Sequence, residues 1–302
     1  MFRRLDRSLV VSNRRLVRFR WVNKPLLCQP VIRQILQARE SGITSLESSF
    51  DLGISRETCR ITGKGIKVRD KLVEWSKLEE AADRERDIYY IEDGELIPIH
   101  IAGEHFYKLV FVRLGHPPTL EIDGIHMHRV KDVTPDIDTR MKISLLGRLR
   151  CCNVLDTCMG LGYTAIESLK RGACKVTTFE IDENVLKIAS LNPWSKWLEN
   201  EKIEIYHGDV FENIDEYSEI FDAVIHDPPR ISLAGELYSL EFYMKISKAL
   251  KPGGRIVHYV GQPGIHTGKK IWRGVIERMK QAGFQVKYHP STRCVYGKKK
   301  IQ

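Results

Sequence analysis

The chain has 302 residues, of which 42% are hydrophobic and 29% charged, an ordinary globular balance that excludes disorder and low complexity. No apolar run approaches the roughly 20 residues that a helix needs to cross a bilayer, which speaks against an integral membrane protein. The seven cysteines form no even-spaced framework and no Cys-x-x-Cys pair, so a reducing, cytoplasmic setting is expected and no metal site is assigned to them.

The net charge is +9, and its distribution is uneven. Residues 1–24 hold eight basic residues, among them Arg14, Arg15, Arg18 and Arg20, against the single acid Asp6. Such a segment is an electrostatic footprint for a polyanion, and a nucleic-acid contact is the preferred expectation. A solvated basic face and an Arg-rich transit peptide are the alternatives. Leu16 to Trp21 partly alternates like a strand with one basic edge.

Up to residue 130 the chain shows short β-like runs separated by Gly, Pro and charged turns: Thr58 to Val68, Ile88 to Ile99 and Tyr107 to Val112. Helical spacing over Pro30 to Arg39 and over Lys71 to Ala82 interrupts them. Residues 1–130 are therefore expected to form a small, basic, β-rich α+β domain. Ile125-His126-Met127-His128-Arg129 sets two histidines on one side of a strand, and without a third ligand nearby in sequence a sheet or substrate-edge role is expected in place of a metal site.

From residue 131 to residue 302 the rhythm is strand, helix, strand, helix. Val154-Leu155, Val176 to Phe179, Ile203 to Tyr206, Phe221 to Ile225 and Arg255 to Val260 read as successive strands, with Phe284 to Tyr288 and Arg293 to Tyr296 as the last two. Helices fall between them, at Thr164 to Lys170, Asn184 to Leu191, Tyr238 to Leu250 and Arg273 to Ala282. Alternating β and α with buried strands predicts a doubly wound, mostly parallel α/β sheet. Ligands of such sheets lie beyond the carboxyl ends of the strands, and here those ends carry acids. Asp156 leads into a turn with Gly160 and Gly162, Glu180 follows the second strand, and Asp209 follows the third. Glu180 is placed to accept both hydroxyls of a ribose, and Asp209 to accept from an adenine amino group.

Taken strand end by strand end, residues 135–300 resemble the class I, Rossmann-like S-adenosylmethionine-dependent methyltransferases. The resemblance implies a seven-stranded sheet, S-adenosylmethionine as methyl donor and S-adenosylhomocysteine as product. It also implies that Asp156, Thr157, Gly160, Gly162 and Tyr163 line the methionine side, that Glu180 and Ile181 meet the ribose, and that Asp209 and Val210 meet the adenine. Cys158 departs from it, standing where the family usually has its first glycine. Arg140 and Lys142, ahead of the first strand, either clamp the methionine carboxylate or a phosphate, or belong to a solvated helix face.

The fourth strand ends in His226-Asp227-Pro228-Pro229-Arg230, where two prolines stiffen the loop. Beyond a simple rigid turn, the run resembles the fourth motif of the amino-methyltransferases. That resemblance implies that Asp227 and the Pro228 carbonyl accept hydrogen bonds from an exocyclic amine and aim its lone pair at the sulfonium methyl. Arg230 departs from the pattern, which has an aromatic residue in that place. His226 is either a proton carrier or a buried, hydrogen-bonded histidine.

Gly235 to Tyr243 resembles the helix that follows the active site in spermidine synthases, which share the fold and use decarboxylated S-adenosylmethionine. In those enzymes a further acid stands three residues before the motif's final Asp, and here that position is Val224. The whole chain is similar to a group of archaeal predicted methyltransferases, on Asp156 to Glu167, Leu191 to Ser195, His226 to Arg230 and, more loosely, Gly261 to Gly264. This last resemblance implies RNA modification, with cytosine N4 of ribosomal RNA as the preferred target. The expectation is thus an RNA N-methyltransferase with a role in rRNA processing, RNA or a ribosomal particle as partner, Asp227, Pro228, Pro229 and Arg230 at the reaction centre, and Arg14, Arg15, Arg18, Arg20 and Arg140 on the substrate. A spermidine-synthase-type aminopropyltransferase and a non-catalytic S-adenosylmethionine-binding protein are the alternatives.

Overall fold

The computed structural model describes residues 14–261 and 271–301. Three of the eight basic residues of the first segment, Arg3, Arg4 and Arg7, lie outside the described residues, as does Gln262-Pro263-Gly264.

The main sheet is built from β1 (Arg15–Val17), β2 (Asn153–Asp156), β3 (Lys175–Glu180), β4 (Ile203–His207), β5 (Phe221–His226), β6 (Leu250–Tyr259), β7 (Phe284–His289) and β8 (Cys294–Lys299). Their order across the sheet is β1-β4-β3-β2-β5-β6-β8-β7. The five middle strands run parallel, while β1 pairs antiparallel with β4, and β8 runs antiparallel to both β6 and β7. The sheet therefore has eight strands of mixed orientation in place of the expected seven. Two physical reasons account for the difference. The strand-like alternation near Leu16 finds the free edge of β4, with Leu16 opposite Tyr206. At the other edge, the short turn after His289 leaves no room for the dozen or more residues that a parallel crossover needs.

The middle strands are long buried runs because both of their faces are covered. Successive residues feed different cores: Val154, Ala223 and Ile225 pack into one, Leu155 and Val224 into the other. That alternation is the period-two geometry of a strand acting on two apolar layers. The helices between the strands are α1 (Pro135–Ser144), α2 (Tyr163–Lys170), α3 (Glu183–Leu191), α4 (Val210–Asn213), α5 (Leu240–Ala249) and α6 (Ile271–Gln281). Strand order reverses between β2 and β5, so the crevice past their carboxyl ends is the switch point where such sheets bind ligands.

Residues 26–126 carry three smaller sheets. One joins Leu26–Cys28, Ile88–Glu92 and Glu95–Pro98; a second joins four strands between Ser45 and Glu74; a third joins four strands between His100 and His126. The expected helix at Lys71 starts only at Trp75. Lys71–Glu74 is a strand paired with Gly65–Val68, made possible by the left-handed Arg69 in the turn between them. Tyr107 and Tyr163 tie this part to the main sheet, through Tyr107 Oη donating to Asp182 at 2.5 Å and Tyr163 Oη donating to the Pro118 carbonyl at 2.9 Å. Among the described residues no helix is long and apolar enough to cross a membrane.

The turn after β2 depends on Gly162, whose φ of +79° is left-handed and whose ideal Cβ would sit 2.6 Å from Leu198 Cδ1. Gly162→Ala is expected to destabilise the fold by about 1–2 kcal/mol from backbone strain alone. Thermal unfolding monitored by fluorescence checks this, and an unchanged Tm would show that the turn relaxes freely.

Candidate active site

Three carboxylates gather at the ends of neighbouring strands, and each is satisfied differently. Asp156, the last residue of β2, is fully buried. Its Oδ1 accepts from Thr164 Oγ1 at 3.0 Å and its Oδ2 from Thr178 Oγ1 at 2.8 Å. Burial pushes its pKa up to about 8, against the pull of those two hydroxyls. Asp156 thus stitches the turn to α2 and β3, and both of its oxygens are taken by the protein. Full burial keeps Asp156 off any cleft surface, unlike the partly exposed Glu180, so its expected place beside a methionine moiety finds no support here. Thr157 is likewise buried, with its hydroxyl 2.8 Å from His226 Nδ1.

Gly160 has a φ of +54°, and a Cβ built there would meet nothing within 4 Å. The conformation calls for glycine, and the space beside it is open to a ligand. Its N–H donates to Glu180 Oε2 at 2.9 Å, while Glu180 Oε1 accepts from the Asp182 N–H at 3.0 Å. Burial raises Glu180 to about 7, and these backbone donors hold it back from going higher. Next to it Ile181 is exposed. Asp209 caps α4 by accepting from the Phe211 N–H at 2.7 Å, and Val210 behind it is buried. Ile181, His207, Gly208 and Asp209 line a cleft of about 680 Å³ to which Arg14 and Arg15 also contribute. The lining therefore offers the exposed apolar side chain of Ile181 and three carboxylates, Glu183, Asp209 and Glu212, while Glu180 and the Gly160 turn stand at neighbouring strand ends outside it. Those features fit a nucleoside.

Tyr163 does not edge this cleft. It is buried, donates to the Pro118 carbonyl, and accepts from Asn192 Nδ2 at 2.9 Å. Arg14 is not free for a substrate either. Its guanidinium donates to Tyr217 Oη at 2.6 Å, pairs with Glu216 at 2.5 Å, and stacks over the Tyr206 ring. It anchors β1 instead. Arg15, Arg18 and Arg20 are exposed, and Arg140 is exposed and paired with Asp136 at 2.9 Å, one turn away on α1.

At the end of β5, Asp227 Oδ2 accepts from Lys142 Nζ at 2.8 Å. Lys142 also pairs with Asp138 at 2.8 Å, and Arg129 pairs with the other oxygen of Asp138 at 2.9 Å. The Lys142 ammonium lies 3.8 Å from the centre of the Tyr259 ring. Burial works to lower the pKa of Lys142, but the Asp227 and Asp138 carboxylates more than offset it and keep the ammonium charged. For Asp227, burial pushes the pKa up and Lys142 pulls it back.

Pro228 is buried; Pro229 is exposed, and its carbonyl accepts from Tyr238 Oη at 2.9 Å. Arg230 points to no partner through its side chain among the described residues and is exposed, while its carbonyl accepts from the Leu233 and Ala234 N–H groups. His226 is fully buried between Thr157 and the Leu237 carbonyl, and burial lowers its pKa to about 4. It stays neutral and hydrogen-bonded on both sides, which is the buried alternative expected for it.

The two histidines near residue 126 hold no metal ligand set. His126 pairs with Glu121 at 2.9 Å and His128 sits 3.0 Å from Thr119 Oγ1. Among the described residues no group of three or more His, Cys, Asp or Glu is placed to hold a metal ion.

The spermine/spermidine synthase domain family matches residues 159–301. The "Uncharacterized protein MJ1233" of Methanocaldococcus jannaschii is 50% identical over 214 residues, covering 70% of this chain and 73% of its own length. The polyamine aminopropyltransferase of Mycobacterium tuberculosis is 32% identical over 203 residues, covering 63% of this chain and 38% of its own length, so the chain spans well under half of that enzyme. Among solved structures, a spermidine synthase in complex with the transition-state analogue AdoDATO superposes with a TM-score of 0.55 at 21% identity, covering 67% of this chain and 73% of that one.

These matches overturn the expected RNA cytosine-N4 methyltransferase, and RNA modification and rRNA processing fall with it. The methyltransferase reaction class does not carry over, because an aminopropyltransferase moves a different group. What stands is a mixed α/β, methyltransferase-like fold. The chain belongs to the same family as the Methanocaldococcus jannaschii protein, built on the class I fold that spermidine synthases and S-adenosylmethionine-dependent methyltransferases share.

Proposed function

We propose that the chain transfers an aminopropyl group from decarboxylated S-adenosylmethionine to an amine. The observation that carries this is the posture of Asp227. One of its oxygens is held by Lys142, and the other accepts no hydrogen bond among the described residues, on a proline-stiffened loop at the carboxyl end of β5. The match of residues 159–301 to the spermine/spermidine synthase domain and the aminopropyltransferase relatives support the same reading.

When bound, the donor supplies a sulfonium that makes its neighbouring methylene electrophilic. Glu180 holds the ribose hydroxyls, with Ile181 against the sugar and Asp209 at the adenine. Asp227 Oδ1 takes the proton of an acceptor ammonium, freeing the nitrogen lone pair. The amine then forms its C–N bond as the C–S bond breaks, and the electron pair stays on sulfur as a neutral thioether. Because the sulfonium is already activated, orientation and one modest base are enough. Val224, where spermidine synthases carry a second acid, is fully buried in the core. The far end of the acceptor is therefore held elsewhere than in those enzymes.

The test incubates the purified chain with decarboxylated S-adenosylmethionine and a panel of aliphatic amines, diamines and polyamines, and identifies products by mass spectrometry. An aminopropylated amine together with methylthioadenosine is expected; turnover with S-adenosylmethionine alone, giving S-adenosylhomocysteine, would overturn the proposal. Asp227→Asn is expected to lower kcat by about 100-fold or more while leaving nucleoside affinity nearly unchanged.

Glu180 adds a pH signature. The ionised carboxylate is the form that accepts two ribose hydroxyls, and its pKa is raised to about 7 by burial. Affinity for the nucleoside should therefore rise as pH climbs through about 7 and then level off. Calorimetric titration across that range should show the rise in the wild type, and a weaker, flat profile in Glu180→Gln. A pH-independent wild type would remove Glu180 from the ribose.

A further inference from the structure

We propose that Lys142 is a positioning residue for the transfer reaction: it fixes one oxygen of Asp227 and leaves the other turned to the acceptor amine. The proposal rests on the transfer reading given above and names the device that prepares its base.

Lysine is almost never fully buried unless it is paired. Lys142, with its side chain 3% exposed, has two carboxylate partners where one would balance its charge. The first, Asp138, is 2% exposed and is itself neutralised by Arg129. That salt bridge, with Arg129 also donating to the Ser291 carbonyl, is complete without Asp227. The second partner is the 19%-exposed Asp227 at the strand end. Arg129 and Lys142 thus share one buried acid, and the charge that Asp138 leaves unbalanced on the lysine is met by Asp227. The 2.8 Å bond from Lys142 Nζ to Asp227 Oδ2 ties that buried charge to the loop after β5. The Tyr259 ring beneath the ammonium fixes its height, since a cation over an aromatic face is attracted to it.

The electrostatic consequence has a definite sign. Asp227 feels Lys142 and Asp138 from α1, Tyr259 from β6 and Tyr238 from the turn before α5. Cys158, Cys294 and Asp156 face it from the turn after β2, from β8 and from β2. Among these Lys142 is the group that favours the ionised carboxylate, whereas Asp138 opposes it. Removing the lysine's charge must therefore raise the Asp227 pKa, and removing the Asp138 charge must lower it. General damage to the site would not produce shifts of opposite sign.

The experiment titrates the Asp227 carboxylate by carbon-13 NMR in the full chain, assigned with Asp227→Asn, for the wild type, Lys142→Met, Lys142→Arg and Asp138→Asn. The expected result is a midpoint raised by about one pH unit or more in Lys142→Met, close to wild type in Lys142→Arg, and lowered in Asp138→Asn. In the transfer assay, the acid limb of kcat should move in the same directions. Lys142→Met should lose about tenfold in kcat at pH 7 with the KM for the donor changed about twofold or less. Equal midpoints in the wild type and the two charge-removing variants, or a shift of one sign in both, would overturn the proposal. If Lys142→Met does not fold, the wild type against Asp138→Asn still decides it. The NMR titration needs no turnover, so a chain that fails to transfer aminopropyl groups would sink the transfer reading and leave the Lys142 result readable by itself.

Discussion

A carboxylate cannot be taken out of water without a partner, and this constraint organises the crevice where strand order reverses. Asp156, Glu180 and Asp227 stand at the ends of β2, β3 and β5. Two threonine hydroxyls satisfy the first, two backbone N–H groups the second, and a buried lysine the third. Each solution draws in a different part of the fold. The threonines lock α2 and β3 onto the turn, the N–H groups shape the glycine loop, and Lys142 brings α1 beneath the reaction loop. Through Asp138 the same chain of charges reaches Arg129, which lies beside the third amino-terminal sheet. The small sheets before residue 130 are thereby coupled to the site although none of them contributes a strand to it.

The sulfonium chemistry explains why one set of motifs suits two reactions. Moving a methyl group or an aminopropyl group to an amine requires a nucleoside cleft, an acceptor near the sulfonium carbon and an oxygen to take a proton. The acid-bearing strand ends and the Asp227-Pro228-Pro229 loop meet those needs in either case. They suit the proposed sulfonium donor while saying little about which carbon leaves sulfur. That information lies in the fit of the substituent, and the proposal draws it from similarity along residues 159–301 where short motifs are silent.

What was legible from residues alone follows from how local each signal is. Buried apolar runs such as Phe221 to Ile225, bounded by turns, announce central strands because both faces of a parallel strand are covered. Glu180 and Asp209 could be placed at strand ends by counting from those strands, and Asp209 lines a cleft there. Less visible was anything settled by tertiary pairing. The short alternation at residues 15–17 became a sheet edge because β4 offered one. Arg14 looked like a free cation, and Glu216 and Tyr217 claimed it from across the chain. Asp156 looked like a ligand, and two hydroxyls that sequence spacing does not bring together turned it inward. Lys142 carried one detectable sign, its spacing of four residues from Asp138 on a helix. Nothing local revealed that this face of the helix would be covered.

The edge strand β1 has an effect on how the molecule comes to be. Arg14 reaches Tyr217, 203 residues later in the chain, and Arg15–Val17 pairs with a strand from the same later region. Contacts of such separation are entropically late events in folding, since a long loop must close before they return anything. Until they form, β4 presents an unpaired edge, the kind of surface that invites another chain to add a strand. The two arginines that contribute to the cleft beside Asp209 arrive with that same segment. Completion of the cleft and protection of this sheet edge therefore depend on the same segment, so a chain that has finished the cleft has also covered the edge of β4.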